Sequence, residues 1–182
     1  MNSEGCPSGQ QRDTRSVRLY RGEDVAFLAA MVRDAILVTG KTAYPPEQLA
    51  AWARFTDDID TFGDQLEKGD TWVITQDDHP VALAQLYPFD HVALLYTHCE
   101  YARTGLASML YGILEAKAIA TGATLLTTHA SRISKPLFER FGFRPVTTEY
   151  PMRHGVQIER YRMQKSLEPT TGRIHPSVRA AE

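Results

Sequence analysis

Two periods alternate along this chain. "SVRLYR" (16–21) sets Val17 and Leu19 against Arg18 and Tyr20, the two-residue period of a strand. "EDVAFLAAMVRDAILVTG" (23–40) repeats Val25, Leu28, Ala29, Val32 and Ile36 at helical spacing, and Gly40 is a stop signal. "YPPEQLAAWARF" (44–55) reads as a second helix, with Pro46 in its first turn and Glu47 at its positive end. The acidic stretch 56–70 is expected to hold a short helix over 61–68. The period then shortens. "TWVITQ" (71–76) and "VALAQLYPF" (81–89) read as strands joined by a "DDHP" turn, and "HVALLYTH" (91–98) is a third, mostly apolar and therefore central. Residues 104–121 form a helix with Leu106, Leu110, Ile113, Leu114 and Ala118 on one face, ended by Gly122. "ATLLTTH" (123–129) is a buried strand and "SKPLFERF" (134–141) a short helix closed by Gly142. "FRPVTTEY" and "VQIERYRMQ" are two last strands with a turn around "RHG".

Two strands flanking one helix, 91–98 and 123–129, make a βαβ unit with parallel strands. The 71–98 run is an antiparallel meander. The pattern predicts one α+β domain over 15–167 with a mixed, mostly antiparallel sheet, a disordered leader over 1–14 and a loose tail over 168–182.

Composition narrows the classes. The 182 residues suit one domain with a real core, and 43% hydrophobic with 23% charged residues is ordinary for a globular chain. A formal net charge of −2 gives no footprint for nucleic acid. Cys6 sits in the polar leader, so no disulfide with Cys99 is expected and a reducing compartment fits better. The first residues hold no apolar signal region, and no apolar run reaches membrane-spanning length. The expectation is a cytoplasmic protein with neither nucleic acid nor membrane as partner, a monomer or homodimer.

Candidate chemistry centres on "ARTGLASML" (102–110), where strand pattern gives way to helix pattern. A glycine at such a junction lets the backbone approach a ligand. The first helical N–H groups lack partners, and the helix dipole there is positive, so phosphate settles on such an end. The plainer alternative is a helix capped by Thr104. The glycines, lysine and acid of a P-loop or a dinucleotide fingerprint are missing.

Over about residues 16–167 the chain resembles the GNAT superfamily of acyl-CoA-dependent N-acetyltransferases. The most specific parts are "LYTHCEYARTGLASMLYGILEAKAIATG" (95–122) and "HASRISKPLFERFGF" (129–143), and "YPPEQLAAW" resembles one small bacterial branch. The resemblance implies a splayed parallel strand pair that takes the pantetheine arm of acetyl-CoA in its gap. It implies that the backbone of Leu95, Tyr96 and Thr97 bonds that arm. The N–H groups of Arg103, Thr104, Gly105, Leu106, Ala107 and Ser108 would hold the pyrophosphate. It implies an oxyanion donor among the backbone N–H groups near Tyr96, and no metal. Ala102 departs from the usual Gln or Arg, and Cys99 from the usual proline. Ser131 stands where many members have Asn, and either bonds pantetheine or caps the next helix. Pro136 leaves open whether that helix starts at Ser131 or nearer Ser134. Phe138, in the cofactor-binding part of the motif, occupies the position of the usual tyrosine acid, and a phenyl ring cannot protonate a thiolate. A thiol pKa near 8.5 allows unassisted departure.

Replacement catalytic groups are His129, as base or acid or else a structural histidine, and the hydroxyl of Tyr96, with a core role for this strand aromatic as the alternative. Tyr44 and Trp52 are candidates for the acceptor side, with a core role for Trp52 as the alternative. The acidic run 57–70 either favours a cationic acceptor or is solvated surface. The expected reaction moves an acetyl group from acetyl-CoA to a primary amine, on a small molecule or a protein, by direct attack. The alternative from another class is a non-catalytic acyl-CoA-binding regulatory module.

Overall fold

The computed structural model describes residues 14–167. The expected tail over 168–182 and the expected leader, except Thr14, lie outside the described residues. Thr14 donates its hydroxyl proton to Asp77.

The chain begins with strand β1 (Ser16–Leu19) and a single turn of 3-10 helix, Gly22–Asp24. Three helices follow: α1 (Val25–Thr39), α2 (Pro46–Ala53) and α3 (Ile59–Glu67). Pro46 opens α2 in its first turn, where its missing N–H costs nothing. Asp58 caps α3 by accepting from the Thr61 N–H at 3.0 Å. The meander is β2 (Asp70–Gln76), β3 (His79–Leu86) and β4 (His91–Thr97). Then come α4 (Leu106–Ala120), β5 (Leu125–Ala130), α5 (Lys135–Arg140) and β6 (Arg144–Glu149).

The end of the chain departs from the sequence expectation. In place of one strand over "VQIERYRMQ" there is a two-stranded hairpin, β7 (Met152–Arg153) with β8 (Val156–Gln157), and then β9 (Arg160–Ser166). Ile158 and Glu159 interrupt the strand because both are spent on other contacts. Ile158 is 6% exposed in the core, and Glu159 carries an ion pair described below.

The main sheet runs β1-β2-β3-β4-β5-β9-β6. Only β4 and β5 are parallel, as the βαβ reading requires. They pair at His91 with Thr127 and Val92 with Thr128, and then diverge. The divergence coincides with an irregularity on the other edge of β4. Gln85 pairs with Leu94 and Leu86 with Val92, so Ala93 is an extra residue with no partner in β3 or β5. A bulge bends its strand, and this one sits where the gap opens.

Side-chain alternation feeds two cores, one on each face of the sheet. Ile74, Ala84, Leu110, Leu114, Leu126 and Phe138 join strands to α4 and α5. Leu28, Val32, Leu49, Phe62, Val73 and Leu83 join strands to α1, α2 and α3.

Candidate functional site

The open edge of β4 is the base of the site. The His98 N–H donates to the Val81 carbonyl at 2.8 Å, so His98 faces β3. Strand alternation then turns the backbone of Tyr96 and Leu94 toward β3, and that of Leu95 and Thr97 toward the gap. No strand pairs with Leu95 or Thr97 on that side.

The junction ahead of α4 forms a second part. Arg103 and Gly105 both take left-handed conformations, with φ of 63° and 89°. The Thr104 hydroxyl turns back to the Tyr101 carbonyl at 2.6 Å, and Gly105 is the N-terminal cap residue, with no side chain capping the helix. The capping role considered for Thr104 is therefore not its role. An added Cβ at Gly105 meets no atom within 4 Å, so the space in front of the helix start is open. The orphan N–H groups of the first turn are left for water or a ligand.

The β4 edge and the α4 start line one cleft of about 1250 Å³. Of the residues singled out in the sequence, Leu95, Tyr96, Thr97, Arg103, Gly105, Ala107 and Ser108 line it, as do Ser131 and Phe138. Thr104 does not, and the Leu106 side chain is only 1% exposed within the core. Phe138 is 3% exposed and packs edge-on against Phe143, with ring centroids 5.1 Å apart. It is a wall of the cleft and brings no polar atom. Ser131 caps. Its hydroxyl accepts from the Ser134 N–H at 3.0 Å, and the Ser134 hydroxyl accepts from the Ser131 N–H at 2.9 Å. The regular helix begins at Lys135.

A second chamber of about 430 Å³ adjoins the first. Trp52, Ala93, Tyr96, His129 and Ser131 line both, which places the junction at the splay. Tyr44 and Trp52 meet edge to face with ring centroids at 5.7 Å, and Phe55 lies 6.5 Å from Tyr96. The β7–β8 hairpin supplies the opposite wall through Arg153 and His154.

Three segments of the chamber are locked together by Tyr44 with Arg132, Glu159 and Tyr161, three residues the sequence reading did not single out. The buried Tyr44 hydroxyl accepts from the Arg132 N–H and donates to the Glu159 carbonyl, both at 2.8 Å. The Arg132 guanidinium donates to both carboxylate oxygens of Glu159 at 2.9 Å and to the Ala43 carbonyl at 2.9 Å. It also lies 5.3 Å above the Tyr44 ring. The Tyr161 hydroxyl donates to Glu159 as well. This arginine, and after it Tyr161, hold the Glu159 carboxyl down at about 2. Burial raises the Tyr44 phenol above its ordinary value.

His129 reaches the junction from the end of β5. Its Nε2 is 3.6 Å from Glu149, which also binds Arg160 at 2.8 Å. Burial, and then the Arg160 charge, lower the His129 pKa below 6.5, so the ring is neutral near pH 7. The His91 ring packs edge-on against it at 5.1 Å, and burial first, then His129, lower His91 to about 4. His91 Nδ1 pairs with the Thr127 hydroxyl at 2.8 Å. Tyr96 is half-buried as a residue, but its hydroxyl is enclosed, and desolvation raises its pKa well above 10.

The acidic run takes no part in either wall. Asp57 pairs with Arg33, Asp58 caps α3, and Asp70 pairs with Lys117 at 3.4 Å. From that stretch only Gln65 reaches the chamber.

The arrangement can hold an extended chain in the β4 gap, an anion at the α4 start, and a ring-sized guest beside His129. Comparison with known proteins agrees. Residues 41–166 match the family model of the acetyltransferase (GNAT) domain. The chain is 32% identical over 130 residues to the uncharacterised N-acetyltransferase YafP of Escherichia coli K12, covering 71% of this chain and 81% of YafP. A GCN5-related N-acetyltransferase from Rhodopseudomonas palustris is 32% identical with a TM-score of 0.82, over 85% of this chain and 96% of that one. The PaiA N-acetyltransferase of Thermoplasma acidophilum, solved with coenzyme A, shares the fold at 15% identity and a TM-score of 0.68, over 85% and 99% of the two chains.

Proposed function

The chain belongs to the GNAT acetyltransferase family and is an acyl-CoA-dependent N-acetyltransferase, and on that premise we propose that it acetylates a primary amine by direct attack within the adjoining chamber. The observation that carries this reading is the junction of the two cavities at the β4–β5 splay, with His129 and Tyr96 on both. Acetyl-CoA fits the larger cleft. The gap-facing backbone of Leu95 and Thr97 is free for an amide-bearing arm, and the open space before Gly105 faces unpaired N–H groups suited to a pyrophosphate.

Acetyl-CoA supplies an activated acyl thioester. The residues of this chain align and polarise it. Leu95 carries the first gap-facing N–H beyond the divergence and is our candidate oxyanion donor. The acceptor nitrogen forms its bond to the acyl carbon, the carbon–sulfur bond breaks, and the amine loses one proton. Neutral His129 takes that proton and passes it to solvent, which its partial exposure allows. Tyr96 holds its proton more tightly than a thiol does, so it steadies the departing thiolate by a hydrogen bond and does not protonate it outright. Phe138 leaves the final protonation to water.

Thiol release from acetyl-CoA with a broad amine panel tests the reading, alongside calorimetry with acetyl-CoA. Turnover with at least one amine is expected. Tight acetyl-CoA binding with no turnover by any amine would return the chain to a non-catalytic acyl-CoA-binding role.

A further inference from the structure

The smaller chamber is polar at one end and aromatic at the other. Tyr44, Trp52, Phe55 and Tyr96 present rings from α2, its flanks and β4. Its volume of about 430 Å³ is on the scale of a small-molecule site.

The arginine and carboxylate side chains that line the chamber are Arg153, Arg160 and Glu159. Behind them Arg132 pairs with Glu159, and Arg162 faces Glu149. Both carboxylates are occupied. Glu159 takes both bonds of Arg132, and Glu149 takes Arg160 at 2.8 Å and faces Arg162 at 4.0 Å. Arg153 is the exception. Its side chain lines the chamber and makes no hydrogen bond or ion pair among the described residues. Its charge nevertheless acts on the Tyr96 hydroxyl and on His129, which places it in the field of the reacting end. A cationic guest would meet repulsion here, while an anionic group would gain a planar two-pronged partner.

We propose that the acceptor is a small primary amine that also carries a carboxylate and a ring-sized apolar body, and that Arg153 is the residue that reads the carboxylate. The inference rests on the acetyltransferase reading and narrows it. The amine lies toward His129, the apolar body between Trp52 and Phe55, and the carboxylate toward β7. A protein amino group with no carboxylate within reach of Arg153 is a poor acceptor on this reading.

The test uses the full chain and pairs of amines that differ by one carboxylate: phenylalanine with 2-phenylethylamine, tryptophan with tryptamine, and 4-(aminomethyl)benzoate with benzylamine. Thiol release gives kcat/KM for each, and calorimetry gives the Kd of each for the protein saturated with coenzyme A. In at least one pair the carboxylate-bearing member is expected to lead by tenfold or more in both measures. Arg153→Ala is expected to bring that ratio close to one, and Arg153→Lys to retain part of it. The same acetyl-CoA Kd in all three proteins shows that the variants fold. Acetylation of neutral amines with no carboxylate preference would overturn the inference and leave the acetyltransferase reading standing. A preference that survives Arg153→Ala, or the absence of binding by every carboxylate-bearing member, would also overturn it. Loss of acetyl-CoA binding together with all turnover would instead strike the underlying reading.

Discussion

Tyr44→Phe removes one oxygen atom from the point where three segments of the smaller chamber meet. The ring stays, so packing against Trp52 at 5.7 Å and the Arg132 stack at 5.3 Å are preserved. What is lost is one bond from the Arg132 N–H and one to the Glu159 carbonyl. An intramolecular hydrogen bond contributes about 1 kcal/mol net, and a group left unsatisfied costs more. Tyr44 is 4% exposed, so water cannot freely replace the hydroxyl. The expected cost is about 2 kcal/mol, which in a domain of this size lowers Tm by about 4–8 °C. The turn over 131–134 is tethered through Arg132, so the KM for acetyl-CoA is expected to rise with the KM for the acceptor. Urea unfolding, thermal unfolding and steady-state kinetics read the three effects. Tyr87→Phe is the baseline, because Tyr87 is exposed and makes no hydrogen bond with its side chain, and its change should stay within about 0.5 kcal/mol. A Tyr44→Phe protein as stable as that baseline would refute the bridging role of the hydroxyl.

Gly105→Asp tests the α4 start. Its Cβ meets nothing and φ is 89°, so the fold should survive at a cost of about 1 kcal/mol while acetyl-CoA affinity in calorimetry falls at least tenfold. Unchanged affinity would place the phosphates elsewhere. For His129→Ala, kcat/KM should lose the fall that the native protein shows as pH drops through a pKa below 6.5, since only the neutral ring accepts a proton. An unaltered pH–rate profile would remove His129 from the mechanism. His91 is neutral in the fold down to about pH 4, whereas in the unfolded chain it takes up its proton near 6.5. The unfolded state therefore binds more protons across that window, and stability is full above pH 6.5 and declines toward pH 4. After allowance for partial exposure the loss is ~1–2 kcal/mol, and His91→Gln should flatten it in urea titrations at pH 4.5 and 7.

The βαβ unit was legible because its signals are local. Hydrophobic period, the Gly105 junction and the Gly122 stop all lie within about thirty residues. The bulge at Ala93 left no such trace, because an alanine in an apolar run looks the same in or out of register, and only pairing with β3 reveals the extra residue. The lock between Tyr44, Arg132 and Glu159 spans 115 residues of sequence, and a lone glutamate in an alternating strand pattern gives no hint of its partner. A weak signal did exist there. Glu159 and Arg160, two polar residues in succession, break the polar–apolar alternation of "VQIERYRMQ", and the break is where β9 begins. Ser131 and Ser134 engage each other because they lie three residues apart, the spacing at which two serines can satisfy each other's backbone.

The two cores on opposite faces of the sheet have a consequence for how such a chain diversifies. The larger cleft leans on α4 and α5 and also on α1 through Ala35 and Ile36, and the rings of the smaller chamber lean on α2, its flanks and the opposite core. Substitutions at Tyr44 or Phe55, which line the smaller chamber and not the larger cleft, therefore spend the stability of one face and leave the packing of α4 and α5 intact. In the proposed reading, donor recognition also runs mainly through main-chain groups, which no side-chain replacement can delete. A lineage built this way can search new acceptors by drift in one half, with the other half inherited unchanged.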